Sequence, residues 1–256
     1  MLWIGTSFKM TKTRAEAVAY AAHLRSLVGG GITGVQPFVI PAATALAEVS
    51  ATLGPGSPVL TGAQNAHWAD EGAWTGEISV PQAADAGARI IEIGHSERRE
   101  HFAETDATVA RKVATTLRHG LIPLLCCGES AEVADRGESV SHVLSQVSAA
   151  FEGLPDISRA LIAYEPVWAI GEGGREPHPS EIAPVHQALT ARWGHRVAAI
   201  LYGGSVTPHN AAALLEVPGV NGLFVGRAAW TTDGFTTLLT TASRSATSRT
   251  TAPAGP

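Results

Sequence analysis

The chain has 256 residues, of which 45% are hydrophobic and only 16% charged, where an ordinary globular domain carries about 25% charged residues. That composition supports a large buried core and excludes intrinsic disorder over most of the length. Eighteen Lys and Arg against twenty-three Asp and Glu leave a net charge of -5, which argues against a dedicated nucleic-acid binder with its basic excess.

In chain order, short apolar β-type runs are predicted as strands at 2–6, 37–40, 59–62, 89–93, 121–126, 160–164, 198–202 and 222–225. Helical segments are predicted between them at 13–28, 43–53, 82–86, 106–119, 138–151, 179–193 and 208–215, with a last one at 233–242. Continuous apolar strands that alternate with helices indicate parallel βαβ units buried on both faces. Eight such pairs predict an α/β fold, a single (β/α)8 barrel over residues 1–240. A doubly wound open sheet is the rival. Its dinucleotide-binding form is disfavoured because no Gly-x-Gly-x-x-Gly follows the first strand. Residues 241–256, rich in Ser, Thr, Ala and Pro without apolar periodicity, are expected to form an irregular, disordered tail.

The longest apolar stretch, Leu121 to Cys127, is interrupted only by Pro123 and falls far short of the ~20 residues of a membrane span. No secretory signal pattern opens the chain. The two cysteines, Cys126 and Cys127, are adjacent, a poor geometry for a disulfide and too few for a structural zinc site. A cytoplasmic protein is therefore expected, with no membrane partner, no nucleic-acid partner and no metal.

In a barrel, chemistry sits at the carboxyl ends of the strands, and the unusual polar residues fall there. Lys9 follows the first predicted strand, His95 and Glu97 the fourth, Glu165 the sixth, Gly203 to Ser205 the seventh, and Gly226 with Arg227 the eighth. Each alone reads as an ordinary loop end or helix cap; together they mark a site. Ser96 is a candidate cap for a following helix, which would place His95 near a positive helix end that favours neutral imidazole. Pro166, Val167, Trp168, Ala169, Ile170 and Gly171, with glycines further on, have the make-up of a hinged lid that excludes water. Glycines after the seventh and eighth strands let backbone N–H groups approach a phosphate. Arg98, Arg99 and Glu104 are expected to stiffen the His95 loop as an ion-pair network. Cys126 is expected to follow the fifth strand and be buried, and His67, His101, His178, His186 and His209 to lie at the surface or at loop ends.

The stretches Lys9–Met10, Gly62–Asn65, Thr75–Ser79, Gly94–Arg99, Tyr164–Gly171, Tyr202–Val206 and Val225–Gly226 resemble the triosephosphate isomerase family, and the resemblance covers nearly all of residues 2–240. The resemblance implies a TIM barrel and a cofactor-independent sugar-phosphate isomerase that moves a proton through an enediolate. It implies Glu165 as base, His95 as the group polarising the carbonyl, and Lys9 as stabiliser of the enediolate and phosphate, with Glu97 supporting Lys9. It also implies phosphate held at Gly171, Ser205, Gly226 and Arg227, and a homodimer in which Gln64, Asn65, Trp74 and Thr75 reach the neighbouring subunit.

Three departures from the glycolytic pattern bear on the substrate. Ser7 stands where Asn is usual, His67, Trp68 and Trp74 mark the third loop, and Gly226-Arg227 replaces Gly-Gly. They look closer to the branch that converts L-erythrulose 1-phosphate to D-erythrulose 4-phosphate, with Ser7 a source of extra room. The glycolytic conversion of dihydroxyacetone phosphate to D-glyceraldehyde 3-phosphate is the alternative. A non-catalytic phosphate-binding barrel is disfavoured, because Lys9, His95 and Glu165 are all present.

Overall fold

Eight short strands close in strict sequence order into a parallel barrel in the computed structural model of the chain, which describes residues 1–171 and 173–251. They are β1 (Leu2–Ser7), β2 (Val35–Ile40), β3 (Leu60–Ala63), β4 (Ile90–Ile93), β5 (Ile122–Cys127), β6 (Leu161–Tyr164), β7 (Ala199–Tyr202) and β8 (Gly222–Val225), and β8 pairs back to β1. The open-sheet rival is thereby excluded. Each strand lies within two residues of its expected position.

The helices form the outer layer: α1 (Arg14–Val28), α2 (Leu46–Leu53), α3 (Val80–Asp85), α4 (Ser96–His101), α5 (Asp106–Arg118), α6 (Ala131–Asp135), α7 (Ser139–Phe151), α8 (Pro179–Trp193), α9 (Ala211–Leu215) and α10 (Thr232–Thr251). Caps set the clearest starts. Thr13 and Glu16 form a capping box on α1, Ser79 and Gln82 one on α3, and Thr105 and Thr108 one on α5, each satisfying amides that a helix start leaves open. Among the described residues no helix is long and apolar enough to cross a membrane.

Strand residues alternate between two cores. Ile91, Ile93, Ile162 and Val225 point outward into the layer between barrel and helices, whereas Phe38, Ile90, Leu124, Leu201 and Phe224 fill the barrel interior. Phe38 stacks on Phe224 with ring centroids 5.9 Å apart. Gly5 makes room for it, since a Cβ there would stand 2.1 Å from the Phe38 ring. The interior is a packed floor, which leaves the carboxyl end of the strands as the site of the opening.

Several expectations are corrected. The irregular tail does not begin at 241: α10 runs on to Thr251, and Ala242 is fully buried in the outer core. Thr241 and Thr247 hydroxyls donate to the carbonyls of Thr237 and Ser243, and the Arg249 guanidinium donates to the carbonyls of Val220 and Leu215. The Thr bonds lie within the helix, and the Arg249 bonds tie this segment without apolar periodicity onto the barrel; residues 252–256 lie outside the described residues. His67 and His186 are buried, not superficial. His67 lies against Trp68 and Trp74, with centroids 4.0 and 4.3 Å away, and His186 packs between Tyr164 and Tyr202. Cys126 lies within β5, facing the barrel interior. Helix α9 starts later than expected, because Thr207 and Asn210 exchange side-chain to backbone bonds of 2.8 and 3.3 Å and hold residues 207–210 as a turn. The short helix α6 was not expected.

Candidate active site

The strand ends bring the singled-out residues together. Ser7 closes β1, and two residues on Lys9 takes a left-handed backbone with φ 49°. Lys9 Nζ donates to Glu97 Oε1 at 2.5 Å. Burial works against the charge of Glu97, but the hydrogen bond and charge of Lys9 outweigh it and hold the carboxyl below its usual range. Glu97 thus stays ionised and anchors the ammonium group.

After β4, Gly94 turns the chain with φ 77°, and His95, not Ser96, caps α4: its Nδ1 accepts the Glu97 backbone N–H at 3.2 Å. A ring that accepts at Nδ1 carries a proton on Nε2, so this bond aims Nε2–H at Glu165. The turn is clamped from behind. Buried Glu104 accepts from the Gly94 amide at 3.0 Å, from Arg98 at 2.7 Å and from Lys112 at 2.8 Å. Arg99 leaves that network and bonds Asp106 at 2.7 Å and the Gly94 carbonyl at 2.9 Å.

Glu165 follows β6 and is 8% exposed. Its Oε2 has no hydrogen-bond partner and lies 4.0 Å from His95 Nε2. Burial pushes its carboxyl above the usual range, and His95, Cys126 and Lys9 only partly offset this. A raised carboxyl pKa suits a group that must take up a proton and return it near neutrality. Burial also pushes the Cys126 thiol well up, which makes it a packing residue and not a nucleophile.

Lys9, His95, Glu97 and Glu165 all line one cavity of about 610 Å³. Ala169, Ile170 and Gly171 border it from the lid segment, and Ser205, Gly226 and Arg227 from the loops after β7 and β8. Pro166, Val167 and Trp168 do not line it. Val167 to Ala169 form a single 3-10 turn, and Trp168 Nε1 donates to buried Glu129 at 3.0 Å. Ser205 Oγ donates to the Ala169 carbonyl at 2.7 Å, and the Arg227 guanidinium to the Gly171 carbonyl at 2.8 Å.

The model of the triosephosphate isomerase family matches residues 2–242. The chain is 55% identical over 241 residues to the L-erythrulose-1-phosphate isomerase of Mycolicibacterium smegmatis, covering 93% of this chain and 92% of that one. It is 47% identical over 248 residues to the protein of the same name in Mesorhizobium japonicum, covering 94% and 97%. The chain belongs to the triosephosphate isomerase family. A crystal structure of triosephosphate isomerase from Bartonella henselae superposes with a TM-score of 0.80 at 33% identity, over 94% of this chain and 98% of that one.

In this isomerase Gly226 has φ -86° and Arg227 is not among the left-handed residues. A side chain at 227 therefore meets no backbone obstacle, and it adds the contact to the lid. Gln64, Asn65, Trp74 and Thr75 do not reach the cavity. Gln64 Nε2 donates to the Lys9 carbonyl at 2.9 Å, and Asn65 Oδ1 accepts from Lys112 at 2.8 Å. Trp74 and Thr75 are exposed. Among the described residues no group of three or more His, Cys, Asp and Glu side chains is placed to hold a metal.

Three residues near the site were passed over. Trp230 Nε1 holds the Ser7 carbonyl at 2.9 Å, and Glu129 gathers Ser139, Tyr164 and Trp168 on one oxygen. Glu92 shares the inward side of β4 with Ile90. Its signal was legible: one charge inside the apolar run Ile90–Ile93, at the parity that faces the barrel interior.

Proposed function

We propose that this enzyme interconverts L-erythrulose 1-phosphate and D-erythrulose 4-phosphate through an enediolate. The observation that carries the chemistry is the unpartnered Glu165 Oε2 facing His95 Nε2 across 4.0 Å in a cavity that also presents Lys9. The Glu165 carboxylate takes the proton from the hydroxyl-bearing carbon, and that C–H pair becomes the enediolate double bond. Charge moves onto the former carbonyl oxygen, where His95 Nε2–H and Lys9 are preorganised donors. Glu165 returns the proton to the neighbouring carbon, while the hydroxyl proton passes from one oxygen to the other. The step is a balanced isomerisation that consumes no electrons or water, so its chemistry needs no cofactor.

The phosphate is bound by backbone N–H groups at Gly171, Ser205, Gly226 and Arg227, and the lid from Pro166 to Gly171 shelters the enediolate from solvent. The four-carbon substrate follows from the names of the relatives at 55% and 47% identity. The two free, buried cysteines are in keeping with a reducing cytoplasm. Exposed Trp74, Met10 and Phe102 support a homodimer in which a second copy covers the 64–75 loop, and a monomeric mass independent of concentration with full activity retained would refute it.

A substrate panel tests the reading. L-erythrulose 1-phosphate is expected to exceed dihydroxyacetone phosphate in kcat/KM, and comparable values or a preference for the triose would overturn the substrate assignment. Glu165→Gln is expected to lower kcat by about 100- to 10,000-fold, and full activity would overturn the catalytic one.

A further inference from the structure

Beneath the cavity lies an ionisable group that this chemistry leaves unused. Glu92 projects inward from β4, in a barrel interior otherwise filled by side chains such as Ile40, Ile90 and Leu124. It is 3% exposed, and its Oε2 has no hydrogen-bond partner. By strand parity Ser7 of β1 faces the same interior, and its hydroxyl is close enough to favour the ionised form of the Glu92 carboxyl. Ser7 is itself buried, yet it lines the cavity, and its backbone carbonyl is held by Trp230. A carboxyl placed in an apolar core opposes folding unless something compensates it. An apolar side chain would serve a purely structural floor better.

Depth within the cavity says what this pair can meet. The phosphate-facing groups sit on loops beyond the strands, whereas Ser7 and Glu92 belong to strands and lie deeper. A substrate whose phosphate lies among the loops and whose reacting carbons lie between Glu165 and His95 directs its far end toward Ser7. In a three-carbon substrate that end carries only hydrogen; in a four-carbon ketose phosphate it carries a hydroxymethyl group.

We propose that Ser7 and Glu92 form the subsite for this terminal hydroxymethyl, with Ser7 as the specificity-determining contact and Glu92 as the positioning residue behind it. In this subsite the Ser7 hydroxyl donates to the Glu92 carboxyl on its inner side, and its oxygen, at the cavity wall, is left to accept the sugar's terminal O–H. A triose leaves those lone pairs buried without a donor, and a site built to bond a hydroxyl rejects an analogue that lacks it. The inference rests on the four-carbon reading above.

The test uses full-length enzyme with Ser7→Ala, Glu92→Leu, Glu92→Gln and the double variant Ser7→Ala/Glu92→Leu. It reads kcat and KM for L-erythrulose 1-phosphate and the inhibition constant of 2-phosphoglycolate, which has a phosphate but no terminal hydroxymethyl. Ser7→Ala and Glu92→Leu are each expected to lower kcat/KM about 10- to 100-fold, with 2-phosphoglycolate inhibition held within about threefold. The double variant is expected to be no worse than the poorer single one, as for two residues that act as a unit. Glu92→Gln, whose amide oxygen still accepts the Ser7 proton, is expected to recover most of what Glu92→Leu loses. Equal weakening of 2-phosphoglycolate, additive losses, or unchanged tetrulose turnover would overturn the subsite. A melting transition at or above that of the wild type establishes that each variant is folded. Wild-type enzyme inactive on the tetrulose but active on the triose would instead bring down the substrate reading itself, whereas an active wild type with insensitive variants brings down only the subsite.

Discussion

Replacing Glu92 by leucine is expected to stabilise the protein, and by more at alkaline pH than at acid pH. Burial pushes the Glu92 carboxyl up to about 7, against 4.5 for a free glutamate. Between those values the folded chain keeps a proton that the unfolded chain has released, so this group's contribution to stability falls as pH rises through that window. At about 1.4 kcal/mol per pH unit, holding the ionised carboxyl in the barrel costs roughly 3 kcal/mol by pH 8, of which about 2–3 kcal/mol develops between pH 5 and pH 8. Leucine has no such linkage and matches the neighbouring inward residues Ile90 and Leu124. Thermal melts of both proteins at pH 5 and pH 8, at one protein concentration, read the difference. With roughly 2–4 °C per kcal/mol for a chain of this size, the gap should widen by roughly 5–10 °C at the higher pH. A gap that stays constant or narrows, or a leucine variant that is the less stable protein at pH 8, would refute the reasoning.

Three further outcomes follow from the same geometry. Lys9→Met removes both the cation facing the cavity and the 2.5 Å bond to Glu97, and kcat is expected to fall about 100- to 1,000-fold, as for loss of one preorganised donor, measured in steady-state isomerase assays. Arg227→Ala cuts the 2.8 Å bond to the Gly171 carbonyl; the lid loosens by about 1 kcal/mol, seen as a KM several-fold higher and faster proteolysis within 166–171. His186→Phe acts at acid pH. Burial holds that imidazole down to about 3, against 6.5 when free, so the unfolded chain takes up a proton that the folded chain refuses, and wild-type stability falls as pH drops through that window. The variant is expected to retain roughly 3 kcal/mol that the wild type loses between pH 7 and pH 4.5, read by urea unfolding at the two values.

The barrel was legible because its strands, buried on both faces, are nearly unbroken apolar runs that alternate with helical segments. The candidate site was legible because its residues follow strands directly: Lys9, His95 and Glu165 all line the cavity that their positions predicted. Features that depend on distant chain segments were not legible. The extension of α10 hangs on Arg249 reaching the Val220 and Leu215 carbonyls, and local composition carries no trace of that contact. His67 and His186 have the polarity of surface residues. Only the closing of Trp68 and Trp74 over one, and of Tyr164 and Tyr202 over the other, puts them inside.

Glu92 lies between these cases. Its charge within an apolar strand is visible in a chain with only 16% charged residues, and strand parity points it inward. The sequence does not reveal that barrel closure brings it near Ser7 of β1, a strand with which β4 does not pair. The same closure brings Lys9 to Glu97, but there the partners meet at the half-open rim, where an ion pair keeps some water. At the barrel floor the carboxyl is 3% exposed, so it must either stay protonated or be held by the polar groups within reach, among them Ser7, which also lines the cavity. A residue that weakens the fold at that position is retained most simply for what its partner presents to the substrate.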